Sequence, residues 1–126
     1  MQAGARLVTW VDADDRAAGR NVSASAQHEL ELADGRRVLL LDDRGWSSSG
    51  GWTSTSVEAV RETARAVVGP DEPADGQSRA EAEAEHWAHL AAAALRQGVS
   101  VSPAELAQFP HEVNIGDRLL QRLSPA

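Results

Sequence analysis

The chain has 126 residues, 42% of them hydrophobic and 25% charged, with a formal net charge of −7. That length and composition suit one globular domain able to bury its own core. The acidity argues against general binding to nucleic acid or to an anionic membrane. There is no cysteine, so disulfides, thiolate metal sites and thiol nucleophiles are excluded, and a cytoplasmic setting is expected. All twelve basic residues are arginine, and Ile115 is the one isoleucine, a bias that fits a GC-rich bacterial coding sequence.

The first stretch, 5–11 (ARLVTWV), is apolar and β-rich. It predicts a strand with Leu7, Thr9 and Val11 on one face and Val8 and Trp10 on the other. It is too short and too acidic in its continuation to be a signal peptide or a membrane span. A loop rich in Asp, Gly and Asn follows, and 22–32 begins as a strand and runs into a hairpin. Asp34-Gly35 suits the tight turn of that hairpin because both positions of such a turn favour residues that accept positive φ. With a two-residue loop, Leu30 faces Leu39, His28 faces Leu41 and Leu32 faces Arg37 on one oily side, while Val38 and Leu40 oppose Glu31 and Glu29 on the other.

Beyond Arg44 the run GWSSSGGW (45–52) carries three serines and three glycines. This predicts a loop over 45–53, bracketed by Trp46 and Trp52. Thr55 and Glu58 then read as a capping box for a helix over about 56–68, with Val57, Val60, Ala64 and Val67 on its inner stripe. After a Pro- and Gly-bearing connector, Ser78 and Glu81 cap a longer helix over about 79–97. Ala80, Ala84, Trp87, Ala91, Ala94 and Leu95 form its predicted apolar stripe. Ser102-Pro103-Ala104-Glu105 starts a short helix over 103–108. Residues 112–115 alternate like a short edge strand, and Leu119, Leu120 and Leu123 suit a final helical turn or two. The fold class expected is therefore α+β: an antiparallel meander of three to four strands (5–11, 22–32, 36–43 and, as the fourth, 112–115). Two helices pack on one face, with short C-terminal helices beyond.

Several constellations carry possible chemistry. Asp42 and Asp43 end an apolar strand near Gly45 and Gly50, as in nucleotide hydrolases. However, the lysine a phosphate loop requires is replaced by Gly51, and a hairpin makes the neighbouring strand antiparallel. Asp12, Asp14 and Asp15 have the spacing of aspartyl phosphotransferases without room for that fold, and read as an acidic loop. Ser47, Ser48 and Ser49 miss the nucleophile-elbow pattern. Glu85, His86 and His89 share one helix and can begin a metal site, but only His28 and His111 remain as further imidazoles, and the pattern of known zinc helices is missing. They are expected instead to lie on the polar side of a buried Trp87.

Surface recognition remains. Trp46 and Trp52 flank a glycine-serine segment beside Arg44 and Ser48, and tryptophan with arginine is the pairing enriched where proteins dock. The expectation is thus a non-catalytic protein-interaction module, accessory or inhibitory in the manner of small acidic immunity proteins, an analogy of size and charge. It would dock through Arg44, Trp46, Ser48 and Trp52, with a protein partner of basic character and no nucleic-acid or membrane partner. No catalytic residue, metal ligand or cofactor is assigned. The alternatives are a small metal-dependent enzyme using Asp42 and Asp43 or Glu85, His86 and His89, and a small-ligand binder with a pocket between sheet and helix.

Overall fold

The computed structural model describes residues 4–14, 21–49, 52 and 55–123. The chain begins with three strands, β1 (Arg6–Asp14), β2 (Asn21–Glu31) and β3 (Arg37–Ser49), continues through α1 (Val57–Val67), α2 (Arg79–Arg96) and α3 (Pro103–Gln108), and ends with β4 (His111–Ile115) and α4 (Asp117–Leu120). The sheet order is β3-β2-β1-β4. The α+β class is as expected, but the sheet is not a pure meander. β4 runs parallel to β1, with Leu7 beside His111 and Val11 beside Ile115. Parallel neighbours need a crossover, and the helical stretch from α1 to α3 supplies it by carrying the chain from the β3 edge to the opposite one. Nothing in the alternation of a five-residue strand encodes that direction.

The hairpin forms where Asp34-Gly35 predicts, with a different loop. Gly35 N–H donates to the Leu32 carbonyl and Leu32 N–H to the Arg36 carbonyl, so three residues close the turn, with Gly35 at φ +91°. The Asp34 carboxylate accepts from Arg36 N at 2.9 Å and draws its guanidinium to 3.0 Å. The longer loop shifts the register by one, so that Val38 rather than Leu39 opposes Leu30. A bulge at Leu40 then takes up the slip and returns Leu41 to His28. Val38, Leu40 and Leu41 are all buried, whereas Leu39 is 36% exposed.

β3 also runs past the expected end at 43. Its glycine-serine continuation pairs with the small, polar start of β2: Gly45 opposes Ser25, Trp46 opposes Ala24, and the hydroxyls of Ser47 and Ser23 meet at 3.0 Å. A run that reads as a loop in isolation becomes a strand because its partner is equally small and polar.

The inner sheet face, Leu7, Thr9, Val11 and Ala13 with Ala24, Ala26, His28 and Leu30, is buried beneath the helices. Ser56, not Thr55, caps α1, accepting from Ala59 N at 3.1 Å, and Val60 and Ala64 point inward. The Ser78–Glu81 and Ser102–Glu105 capping boxes of α2 and α3 form as predicted. α2 is rotated relative to the expected stripe. Ala82, Leu90, Ala93 and Ala94 are its buried residues, while Leu95 is 63% exposed and Trp87 only half-buried. In a helix so rich in alanine, apolar periodicity is weak, and the fully buried Leu90 sets the face. Among the described residues no helix is long and apolar enough to cross a membrane.

Candidate functional site

The rotation of α2 places His86 between Ala82 and Leu90 on the inward stripe, where it meets the end of β3. Arg44, opposite Ala26 in β3, extends on this same side of the sheet. Its Nη1 donates to Asp71 Oδ1 at 2.9 Å, and Nε stands 3.7 Å from Asp43 Oδ1, beyond hydrogen-bond reach. Arg44, Asp71, Glu72, Glu85, His86 and His89 line a cleft of about 320 Å³ between β3, the 70–78 connector and α2. Gln77 steadies its far side, donating to Glu85 Oε2 at 2.7 Å and accepting from Ala74 N at 3.0 Å.

The floor of this cleft is polar and unsatisfied. Arg44 Nε and His86 Nε2 are buried with no hydrogen-bond partner, a condition that costs a free energy comparable to a lost hydrogen bond. Burial, with help from the Arg44 charge, holds His86 below its ordinary pKa, so the ring is neutral at pH 7. The Arg44 hydrogen bond and charge hold Asp71 ionised further down the pH scale than usual. The cleft's carboxylates, Asp71, Glu72 and Glu85, can attract a cation.

Of the expected docking residues, Arg44 and Trp46 lie two positions apart on the inner face of β3. Arg44 is in the cleft. Trp52 is 4% exposed and belongs to the core, and Trp46 is half-buried with its ring edge-on to Trp52 at 6.5 Å. The two indoles pack on each other. Ser48 pairs with Val22 in β3, and residues 50, 51, 53 and 54 of the expected loop lie outside the described residues. Asp42 is exposed on the outer side of the sheet from the cleft, and Asp43 flanks Arg44. Glu85, His86 and His89 do not meet a further ligand: among the described residues no three His, Asp or Glu side chains are grouped to hold a metal ion. The expectation of polar-face histidines beside a buried Trp87 holds for the exposed His89 but not for His86, which is half-buried like Trp87 and edge-on to its ring at 4.8 Å. Asp12 has a structural task, accepting from Leu119 N at 2.9 Å and so capping α4 from β1. Asp15 lies outside the described residues.

A second polar group was hidden in the sequence. The β1–β2 register sets Thr9 opposite His28, and the parallel β4 brings His111 alongside. Thr9 Oγ1 lies 2.8 Å from His28 Nδ1 and 2.7 Å from His111 Nε2. A hydroxyl with one proton serves both rings by donating to one nitrogen and accepting from the other. Burial, then the proximity of His111 and His86, pulls the His28 pKa down to about 3, and burial with the Arg65 charge lowers that of His111. His28 sits among leucines in the hairpin alternation, which marks it as inward-facing; the arrival of His111 depends on the parallel strand and was not legible.

No family model, curated protein or solved structure matches the chain. Fold and cleft together define its class: a small α+β protein with a mixed four-stranded sheet, helices on one face and a polar cleft at the sheet-helix seam.

Proposed function

We propose that the protein is a non-catalytic recognition module that seats a basic protein segment in the cleft at Arg44. The observation that carries this reading is the pairing of two buried, unpartnered nitrogens, Arg44 Nε and His86 Nε2, with the carboxylates of Asp71, Glu72 and Glu85. A lysine or arginine side chain of the partner meets the carboxylate rim, and its approach shifts the Arg44 and His86 side chains enough for a backbone carbonyl to reach the buried nitrogens. The net charge of −7 supports a basic partner and speaks against nucleic acid and anionic membranes. Absence of cysteine supports a cytoplasmic setting, and an accessory or inhibitory role suits such a module. In this reading Arg44 is the contact residue, while Trp46 and Trp52 pack on each other and on the core.

The test is fluorescence anisotropy with a labelled arginine- and lysine-rich peptide, against the protein and its Glu72→Gln/Glu85→Gln variant. Both carboxylates are exposed, so the double variant folds. We expect affinity to fall about tenfold in the variant and to weaken with added salt. Equal affinity for both proteins refutes the assignment of this cleft.

A further inference from the structure

The sheet face turned away from the helices carries its own site. Trp10 is 37% exposed there, the one tryptophan so open among the described residues. Its indole is held in place: Nε1 donates to Glu29 Oε1 at 2.7 Å, and the Arg37 guanidinium lies 5.1 Å from the ring centroid. Arg37 is in turn 3.8 Å from Glu31, which also pairs with Arg6 at 3.0 Å. This lattice fixes the ring from the Glu31 side. Toward the other end of the strands lies a cleft of about 410 Å³, lined by Trp10, Asp12, Ser25, Gln27 and Asp42.

Three of those side chains are available. Ser25, Gln27 and Asp42 have no side-chain hydrogen bond or ion pair among the described residues, whereas Asp12 is committed to Leu119 and lies 3.6 Å from Arg118. The cleft coincides with the second bulge of the hairpin, where Asp42 and Asp43 together oppose Gln27. Such irregularities re-aim side chains and recur beside binding sites. A pre-set aromatic plane, a free carboxylate, a carboxamide oxygen and a hydroxyl form a set of acceptors beside a stacking surface. Guanidinium complements it: planar, cationic and rich in donors, it stacks on indole, as Arg37 already does on this ring. An ammonium group is a compact, strongly hydrated charge and uses the stacking plane less well.

We infer that the Trp10 cleft on the outer sheet face is a socket for an arginine side chain presented by a basic polypeptide, stacked on the indole and paired with Asp42. The socket is on the opposite face of the sheet from the Arg44 cleft and stands whether or not that cleft is used. Because the indole is held before binding, little ordering accompanies occupancy.

Titration of ¹⁵N-labelled protein with N-acetyl-arginine amide tests it, reading the Trp10 indole N–H, assigned by its loss in Trp10→Phe, and the Gln27 side-chain amide. Saturable shifts of both signals are expected, about fivefold weaker with N-acetyl-lysine amide. Asp42→Asn, an exposed and near-isosteric change, should weaken binding about tenfold, and Arg44→Ala should leave it unchanged. The inference is overturned if the shifts do not saturate, if Asp42→Asn binds as well as the parent, if Arg44→Ala abolishes the response, or if glucose saturates the signals where arginine amide does not.

Discussion

Gln97, the C-cap of α2, lays its side-chain amide along the free edge of β3. It accepts from Leu39 N at 3.2 Å and donates to the Leu39 carbonyl at 2.6 Å, as a neighbouring strand residue would. A third contact, to the Ala93 carbonyl at 3.1 Å, ties the amide to its own helix. An open sheet edge is a template for unwanted pairing, and covering it is a protective device. Gln97→Ala should therefore cost roughly 1–2 kcal/mol and increase self-association. Denaturant midpoints and sedimentation velocity read the two effects, and a variant that stays as stable and as dispersed as the parent removes the protective role.

The Thr9–His28–His111 chain makes stability sensitive to acid. His28 binds its proton near 6.5 when unfolded but only at about 3 when folded, so the unfolded state takes up more protons as pH drops. The stability contributed by keeping this ring neutral is fully present above pH 6.5 and is lost as pH falls below it, with a slope of about 1.4 kcal/mol per pH unit. His86 and His111 shift in the same direction. Urea unfolding at pH 7.5 and 5.5 should show the loss, and His28→Leu should flatten it. An unchanged slope in that variant contradicts the assignment.

Gly45 is held by its neighbour across the sheet. A Cβ there would stand 2.5 Å from the Ala24 carbonyl oxygen and 3.5 Å from the Ser25 Cα, and these are backbone atoms with little room to yield. Gly45→Ala should lower stability by roughly 1–3 kcal/mol, measured by urea denaturation. Full stability would show that this end of β3 is looser than its pairing implies.

Asp12 replaces the missing cap of α4, whose N-cap residue Gly116 supplies no side chain. Asp12→Ala should cost roughly 1 kcal/mol and speed hydrogen exchange at the Leu119 amide. Exchange at that amide unchanged from the parent argues against the capping role.

The orientation of α2 is tested by a pair of leucines. Leu90→Ala should cost roughly 2–5 kcal/mol and Leu95→Ala less than about 0.5 kcal/mol, because the first is fully buried and the second is 63% exposed. Thermal melts that reverse this order restore the stripe read from the sequence.

Local signals were legible where one residue type has one physical use. Ser78–Glu81, Ser102–Pro103–Glu105 and Asp34–Gly35 located two caps and a turn, because capping oxygens and positive φ are short-range demands. The strand period placed Leu7, Thr9 and His28 on the inner face. What failed depended on partners. The hairpin register turned on one extra loop residue, and the strand after Arg44 turned on the small residues of β2. The face of α2 and the direction of β4 followed tertiary packing that alanine and a five-residue run do not announce. Arg44 stood out in the sequence beside the tryptophans, but the cleft it shares with His86 needed the rotation of α2. Trp10 was placed on the correct strand face and passed over, since exposure belongs to the sheet and not to the residue.

The parallel seam between β1 and β4 joins parts of the chain that are distant in order: Arg6 and Glu112 form an ion pair across 106 positions. Closing so long a span costs entropy before its contacts reward it, and topologies dominated by such pairings fold slowly. β1 therefore waits for β4, three helices later in the chain, before its second edge is covered. Until then Thr9 and His28 lack their third member, His111.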